Sequence, residues 1–274
     1  MEFTSSVLDL DVAGEIATLW LNRPDARNAM GRAFWEDLPR AAAAVRDAPR
    51  VRALVVAARG RDFTVGLDLK ELGANLVAED RDGSPAERNA ARLRAVRVMQ
   101  GAINAIADLP MPVLAAVHGY CLGGGLNLIS ACDIRLAAHS AIFSVRETKV
   151  AIVADLGTLQ RLPRIIGAGH VAELAFTGKD IDADRAAAIG LVNSVVATPE
   201  AVLTAAYELA DEIAANSPLA VRGTKAVLAA NDGRTVAEGL EFVANWNTLY
   251  LRSDDLAEAM RAFVERRTPT FTGH

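Results

Sequence analysis

A chain of 274 residues that is 51% hydrophobic but only 5% aromatic suits one large Ala/Val/Leu-packed domain, or one domain with an appendage. A formal charge of −5 gives no electrostatic reason to expect nucleic acid as a partner. Two cysteines are too few for a disulfide framework.

The first elements read as a hairpin: "VLDLDV" from Val7, a turn at Ala13-Gly14-Glu15, then the alternating "IATLWL". A turn at Asn22-Arg23-Pro24-Asp25 leads to "GRAFWEDLPRAAAAVRDA", whose composition suits a helix despite Pro39. "VRALVVAA" is a buried strand that Gly60 ends. "FTVGLDLKEL", Phe63 to Leu72, bends at Gly66 and enters a helix-like segment. Residues 86 to 109 suit a helix that Pro110 stops. A short strand "VLAAV" follows, then a glycine cluster in "HGYCLGGGLNL", a helix-like "LNLISA", and strands near "IRLAA" and "AIFSV". Strands alternating with helices argue for an α/β fold. After about residue 198 the chain is amphipathic and nearly strand-free. Residues 1–198 are therefore expected to form the core with the site, and residues 199–274 a helical C-terminal region suited to oligomerisation.

No uninterrupted apolar stretch reaches the roughly 18 residues of a membrane span, so no membrane partner is expected. "MEFTSSVLDLDV" has neither a basic n-region nor an apolar h-region, and "TPTFTGH" is not a targeting ending. A cytoplasmic location is the resulting expectation.

Two stretches could carry chemistry through their backbone. Each of the two glycine turns, around Gly66 and around Gly123–Gly125, follows a strand and opens a helix, which leaves N–H groups unpaired at the helix start. Singly, such turns are most often structural. Facing each other, they could hold one anionic oxygen with two N–H donors. There is no G-x-G-x-x-G fingerprint, phosphate loop, G-x-S-x-G elbow, H-E-x-x-H or paired-cysteine site, so no metal is expected. His118, His139 and His170 are scattered, and Cys121 and Cys132 read as buried small hydrophobes.

The stretch "RETKVAIVADLGTLQRL" puts Glu147 and Asp155 on either side of an apolar run. A salt bridge to Arg146, Lys149, Arg161 or Arg164 is one reading, and a helix cap by Asp155 another. The third is a carboxylate pair whose apolar surroundings raise a pKa and ready it for proton transfer.

Together, "LNRPDARNAM", "FTVGLDLKEL", "AVHGYCLGGGLNLISACDIRLAA", "FSVRETKVAIVADLGTLQRLPRIIG", "AFTGKDIDADRAAAIGLVNSVV" and "SPLAVRGTKAVL" resemble the enoyl-CoA hydratase/isomerase (crotonase) superfamily in order and spacing. "VRETKVAIVADLGTLQRLPRIIG" and "EFVANWNTLYLRSDDL" look most like its dienoyl-CoA isomerases. The resemblance implies an α/β, crotonase-like spiral of ββα turns with a helical C-terminal region. It also implies homotrimers or homohexamers, an acyl-CoA thioester as substrate, and no cofactor beyond the CoA of that substrate. Leu67 and Gly124 match the two positions whose N–H groups hold the thioester oxygen. Arg27, Ala29, Asp68 and Leu69, with Gly66 beside them, match the neighbourhood that cradles CoA. Glu147 matches the acid shared by hydratases and many isomerases, and Asp155 the acid specific to the isomerase subgroup. Asn127 departs from the pattern: the position is Glu in hydratases and Asp in dienoyl-CoA isomerases. An amide is no base at neutral pH, and hydration calls on two carboxylates. The expected activity is therefore isomerisation of 3,5-dienoyl-CoA to 2,4-dienoyl-CoA, with an enoyl-CoA hydratase or a catalytically weak CoA-ester binding protein as alternatives.

Overall fold

A computed structural model describes residues 3–71 and 84–274. The expected hairpin is β1 (Leu8–Ala13) and β2 (Ile16–Leu21), antiparallel with Ala13 opposite Ile16. Gly14 takes a φ of 61° in the tight turn, where a side chain would be strained. Helix α1 (Arg32–Arg46) runs through Pro39, and its buried face of Phe34, Leu38, Ala41, Ala42 and Val45 has helical spacing. β3 (Ala53–Ala58) is buried throughout. Helix α2 (Pro85–Ala107) starts with a capping box between Ser84 and Glu87, and only Ala102, Ile103 and Ile106 near its C-terminal end are buried.

The chain then winds in repeating turns. β4 (Val113–Val117), β5 (Tyr120–Leu122) and α3 (Gly124–Ser130) make one ββα unit. β6 (Ile134–Ala138), β7 (Ile142–Ser144) and α4 (Thr158–Ile165) make the next. In both units the first strand joins a six-stranded sheet and the second a three-stranded one. α5 (Ala168–Thr177), β8 (Ile181–Asp182), α6 (Ala183–Ala188) and β9 (Ser194–Val196) close the spiral. The large sheet runs β1-β2-β3-β4-β6-β9 and the small one β5-β7-β8. From β2 onward the large sheet is parallel, which explains why β3 and β4 read as continuous apolar runs rather than alternating ones.

Alternate residues of those strands serve two cores. Leu54, Val56, Ala115 and Val117 face the helices of the spiral. Val55, Ala57, Leu114 and Ala116 pack with Val202, Ala206 and Ala210 of α7 (Pro199–Ala214). α7, the first helix of the expected C-terminal region, covers the outer face of the large sheet. Its amphipathic pattern resembles that of the later helices, and sequence alone does not tell which surface such a face meets. Helices α8 (Pro218–Ala230), α9 (Val236–Tyr250) and α10 (Asp254–Glu265) follow. The last two present Leu240, Leu249, Phe263 and Val264 to solvent.

Candidate active site

The two glycine turns meet. Gly66, at φ 84°, lies against the second turn: a methyl group added there would stand 2.6 Å from the Leu122 carbonyl oxygen and 3.2 Å from the Gly124 nitrogen. A methyl group on Gly124 would stand 3.8 Å from the Leu67 nitrogen. Any larger side chain at Gly66 would push the turns apart. The segment around Leu67 bridges Met30: the Met30 N–H donates to the Gly66 carbonyl, and the Asp68 N–H to the Met30 carbonyl. In an extended segment alternate N–H groups point to opposite sides, so that of Leu67 is turned away from Met30. Gly124 opens α3, where an N–H has no intrahelical acceptor.

Beside these donors lies a cavity of about 180 Å³, and Asn127, Glu147 and Asp155 all line it with Gly66, Leu67, Leu69 and Gly124. The salt-bridge reading fails: Arg146 pairs with Asp180, Arg164 with Asp232, and Arg161 donates to Asn104. Among the described residues no ion pair joins Glu147 or Asp155 to a cation. The capping reading fails as well. Gly157 is the N-cap of α4, and the Thr158 N–H donates to Asn127 Oδ1 at 2.8 Å. With that oxygen committed, Asn127 Nδ2 donates to Glu147 Oε1 at 3.0 Å and to the Gly123 carbonyl at 3.2 Å. The buried Asn127 thus ties Glu147 to the start of α4, just beyond Asp155.

Glu147 Oε2 is buried and has no hydrogen-bond partner among the described residues. Burial raises the Glu147 pKa, the bond from Asn127 opposes this, and the negative charge of Asp155 adds to the rise. Asp155 stands at the open side of the cavity, and its partial burial also raises its pKa.

Of the residues matched to CoA binding, Gly66 and Leu69 line this cavity. Leu69 is exposed, and Ala29 is half-buried in the segment leading to Met30. Arg27 donates to Asp62 at 2.7 Å and lies over the Tyr120 ring. Asp68 is buried, with its carboxylate held by Arg23 at 2.6 Å and by the N–H groups of Lys70 and Glu71. Its carboxylate is committed to shaping the turn. His118 Nε2 is bonded to the Gly60 carbonyl, and both thiols are buried, that of Cys132 pushed up to about 12. Among the described residues no cluster of His, Cys, Asp and Glu could hold a metal ion.

Sequence reading missed Trp35, Val96 and Met99, which also line the cavity. The inward face of α1 was the signal for Trp35. α2 has almost no amphipathic stripe, so nothing local marked Val96 or Met99.

A spiral of ββα units whose turns bring two backbone donors to an apolar cavity with two carboxylates is the crotonase arrangement. The chain belongs to the enoyl-CoA hydratase/isomerase family, which matches it over residues 11–274. It is 39% identical to the peroxisomal Delta(3,5)-Delta(2,4)-dienoyl-CoA isomerase of Arabidopsis thaliana, over 98% of this chain and 96% of that one. It is 41% identical to the mitochondrial enzyme of that name from Homo sapiens, over 92% of this chain and 78% of the other. The crystal structure of enoyl-CoA hydratase from Bacillus anthracis superposes with a TM-score of 0.88 at 32% identity, over 98% of this chain and all of that one. The expectation of a cytoplasmic protein is overturned by these relatives, which are named as peroxisomal and mitochondrial. That expectation rested on cysteine usage and on missing motifs, features that do not distinguish one reducing compartment from another.

Proposed function

We propose that this chain isomerises 3,5-dienoyl-CoA to 2,4-dienoyl-CoA. The observation that carries the reading is the pair Glu147 and Asp155, two carboxylates without a cation partner among the described residues, in one apolar cavity beside two convergent N–H groups. The names of the relatives support the choice of substrate. Glu147, ionised, takes a proton from the carbon next to the thioester. The electron pair spreads through the diene as an extended dienolate whose oxygen is held by the N–H groups of Leu67 and Gly124. Asp155, protonated, delivers its proton to carbon 6, and the double bonds settle at positions 2 and 4. One proton enters Glu147 and one leaves Asp155, so the pair resets by exchange with solvent. The two acids titrate as a coupled pair, and the form carrying one proton is the competent one. The thioester itself acidifies the adjacent C–H, so the step draws on no metal or redox group.

Asn127 supports isomerisation over hydration. Its amide donates to Glu147 and holds the neighbouring helix start, where a hydratase needs a second carboxylate for water. Arg27, Ala29, Gly66, Asp68 and Leu69 form the side on which CoA lies, and the apolar faces of α9 and α10 join copies into a homotrimer or homohexamer. The test is incubation of purified protein with 3,5-dienoyl-CoA, 2-enoyl-CoA and 3-enoyl-CoA in parallel. Rapid consumption of the 3,5-dienoyl ester with a 2,4-dienoyl product is expected. Faster loss of the 2-enoyl ester by hydration would overturn the reading.

A further inference from the structure

Among the described residues no other side chain bonds the Asp155 carboxylate, which accepts from its own backbone N–H, so its aim depends on the backbone that carries it. That backbone is held from outside its own segment. Gln100 Nε2, on α2, donates to the Asp155 carbonyl oxygen at 2.7 Å. One turn further along, Asn104 Oδ1 accepts from Arg161 of α4, whose other guanidinium nitrogen reaches the Leu156 carbonyl at 3.4 Å. Gln100 stands at the point where α2 becomes anchored: Ala102, Ile103 and Ile106 just beyond it are buried, while residues 85–95 of the helix lie mostly in the open. Val96 and Met99, on the preceding turn, line the cavity. The same stretch of helix therefore forms part of the cavity wall and grips the segment bearing the acid.

We infer that Gln100 is a positioning residue, which fixes Asp155 through its main-chain carbonyl and sets how efficiently the far end of the dienolate is protonated. The inference rests on the proposed isomerase reaction. The Asp155 carbonyl is an acceptor with no role in the chemistry, so losing its donor loosens the acid without removing it. Displacing a reacting group by about 1 Å commonly costs on the order of 10²-fold, and a partial loosening costs less.

Gln100→Leu keeps the bulk and the helix but removes the donor. About a tenfold fall in kcat with KM within twofold of wild type is expected for 3,5-dienoyl-CoA, and Gln100→Lys, which restores a donor, should recover most of it. In the Asp155→Asn background the Gln100→Leu change should cost less than twofold, because the group it positions is gone. A tenfold cost in both backgrounds, or unchanged kcat in Gln100→Leu with Asp155→Asn strongly impaired, overturns this inference alone. Full activity of Asp155→Asn overturns the isomerase assignment of Asp155 and this inference with it.

Discussion

Two pairs of carboxylates, Asp62 with Asp68 and Glu147 with Asp155, are treated in opposite ways. Burial alone would raise Asp62, but Arg27, the Tyr120 N–H and Arg61 hold it below the ordinary carboxylate range. Burial would likewise raise Asp68, and Arg23 with two N–H groups reverses it. Among the described residues no cation pairs with Glu147 or Asp155, and burial leaves both raised. The chain has arginines close by, at 146, 161 and 164, and sends each elsewhere. The difference separates carboxylates tied to arginines and turn N–H groups from carboxylates with raised pKa values, the setting that proton transfer calls for.

The largest effects should come from the unpaired set. Glu147→Gln and Asp155→Asn should each lower isomerisation by roughly 10²–10⁴-fold with CoA-ester affinity near wild type, read from steady-state rates and product-analogue titration. Unimpaired turnover in either variant would erase the contrast with Asp62 and Asp68.

Gly124→Pro removes one N–H at the first position of α3, where a helix tolerates proline. About a 10²–10³-fold loss of rate is expected. A Cβ there meets Met30 Sδ at 2.8 Å, so circular dichroism and the oligomeric state must match wild type for the rate to count.

Stability should show the reverse ranking. Asp62→Asn should cost about 1–3 kcal/mol in chemical denaturation, since it leaves Arg27 and Arg61 without their carboxylate. Asp155→Asn should cost less than about 0.5 kcal/mol, because its carboxylate is exposed and no ion pair joins it to a cation among the described residues. The pH dependence follows the same signs. Stability from the depressed Asp62 and Asp68 is present above the unfolded value near 4 and is lost as pH falls through their folded values. The penalty from the raised Glu147 and Asp155 is full above their folded values and fades as pH falls toward the unfolded value. Equal acid sensitivity of wild type and Asp62→Asn would break this part of the comparison.

Asn127 gives the smallest and sharpest test. Asn127→Asp keeps an acceptor for Thr158 but turns a second acceptor on Glu147, so the two must share a proton. Isomerisation at the maximum of the pH–rate profile should be preserved, while the acid limb moves to higher pH. Asn127→Glu should bring a small gain in water addition to 2-enoyl-CoA. If neither substitution moves either rate or the profile, Asn127 does not govern Glu147.

Much of this was legible in the chain. The hairpin, the buried strands and both glycine turns follow from period, breakers and composition, whereas the choice of Glu147 and Asp155 over a salt bridge or a cap rests on the family resemblance. The contacts of Asn127 were not, because the amide meets Thr158 and Glu147 across 31 and 20 residues, and no local pattern encodes such a meeting. Nor was the place of α7, since amphipathicity shows that a face is covered and not by what. The end of "FTVGLDLKEL" at Leu72 lies outside the described residues.

The central claim is that Glu147 and Asp155 work at opposite ends of one conjugated system. Incubating 3,5-dienoyl-CoA in deuterium oxide tests it directly, with the label located by NMR. Asp155→Asn should wash deuterium into the carbon next to the thioester while forming almost no 2,4-dienoyl product, and Glu147→Gln should do neither. Deuterium exchange lost equally in both variants would contradict the division of labour between the two acids.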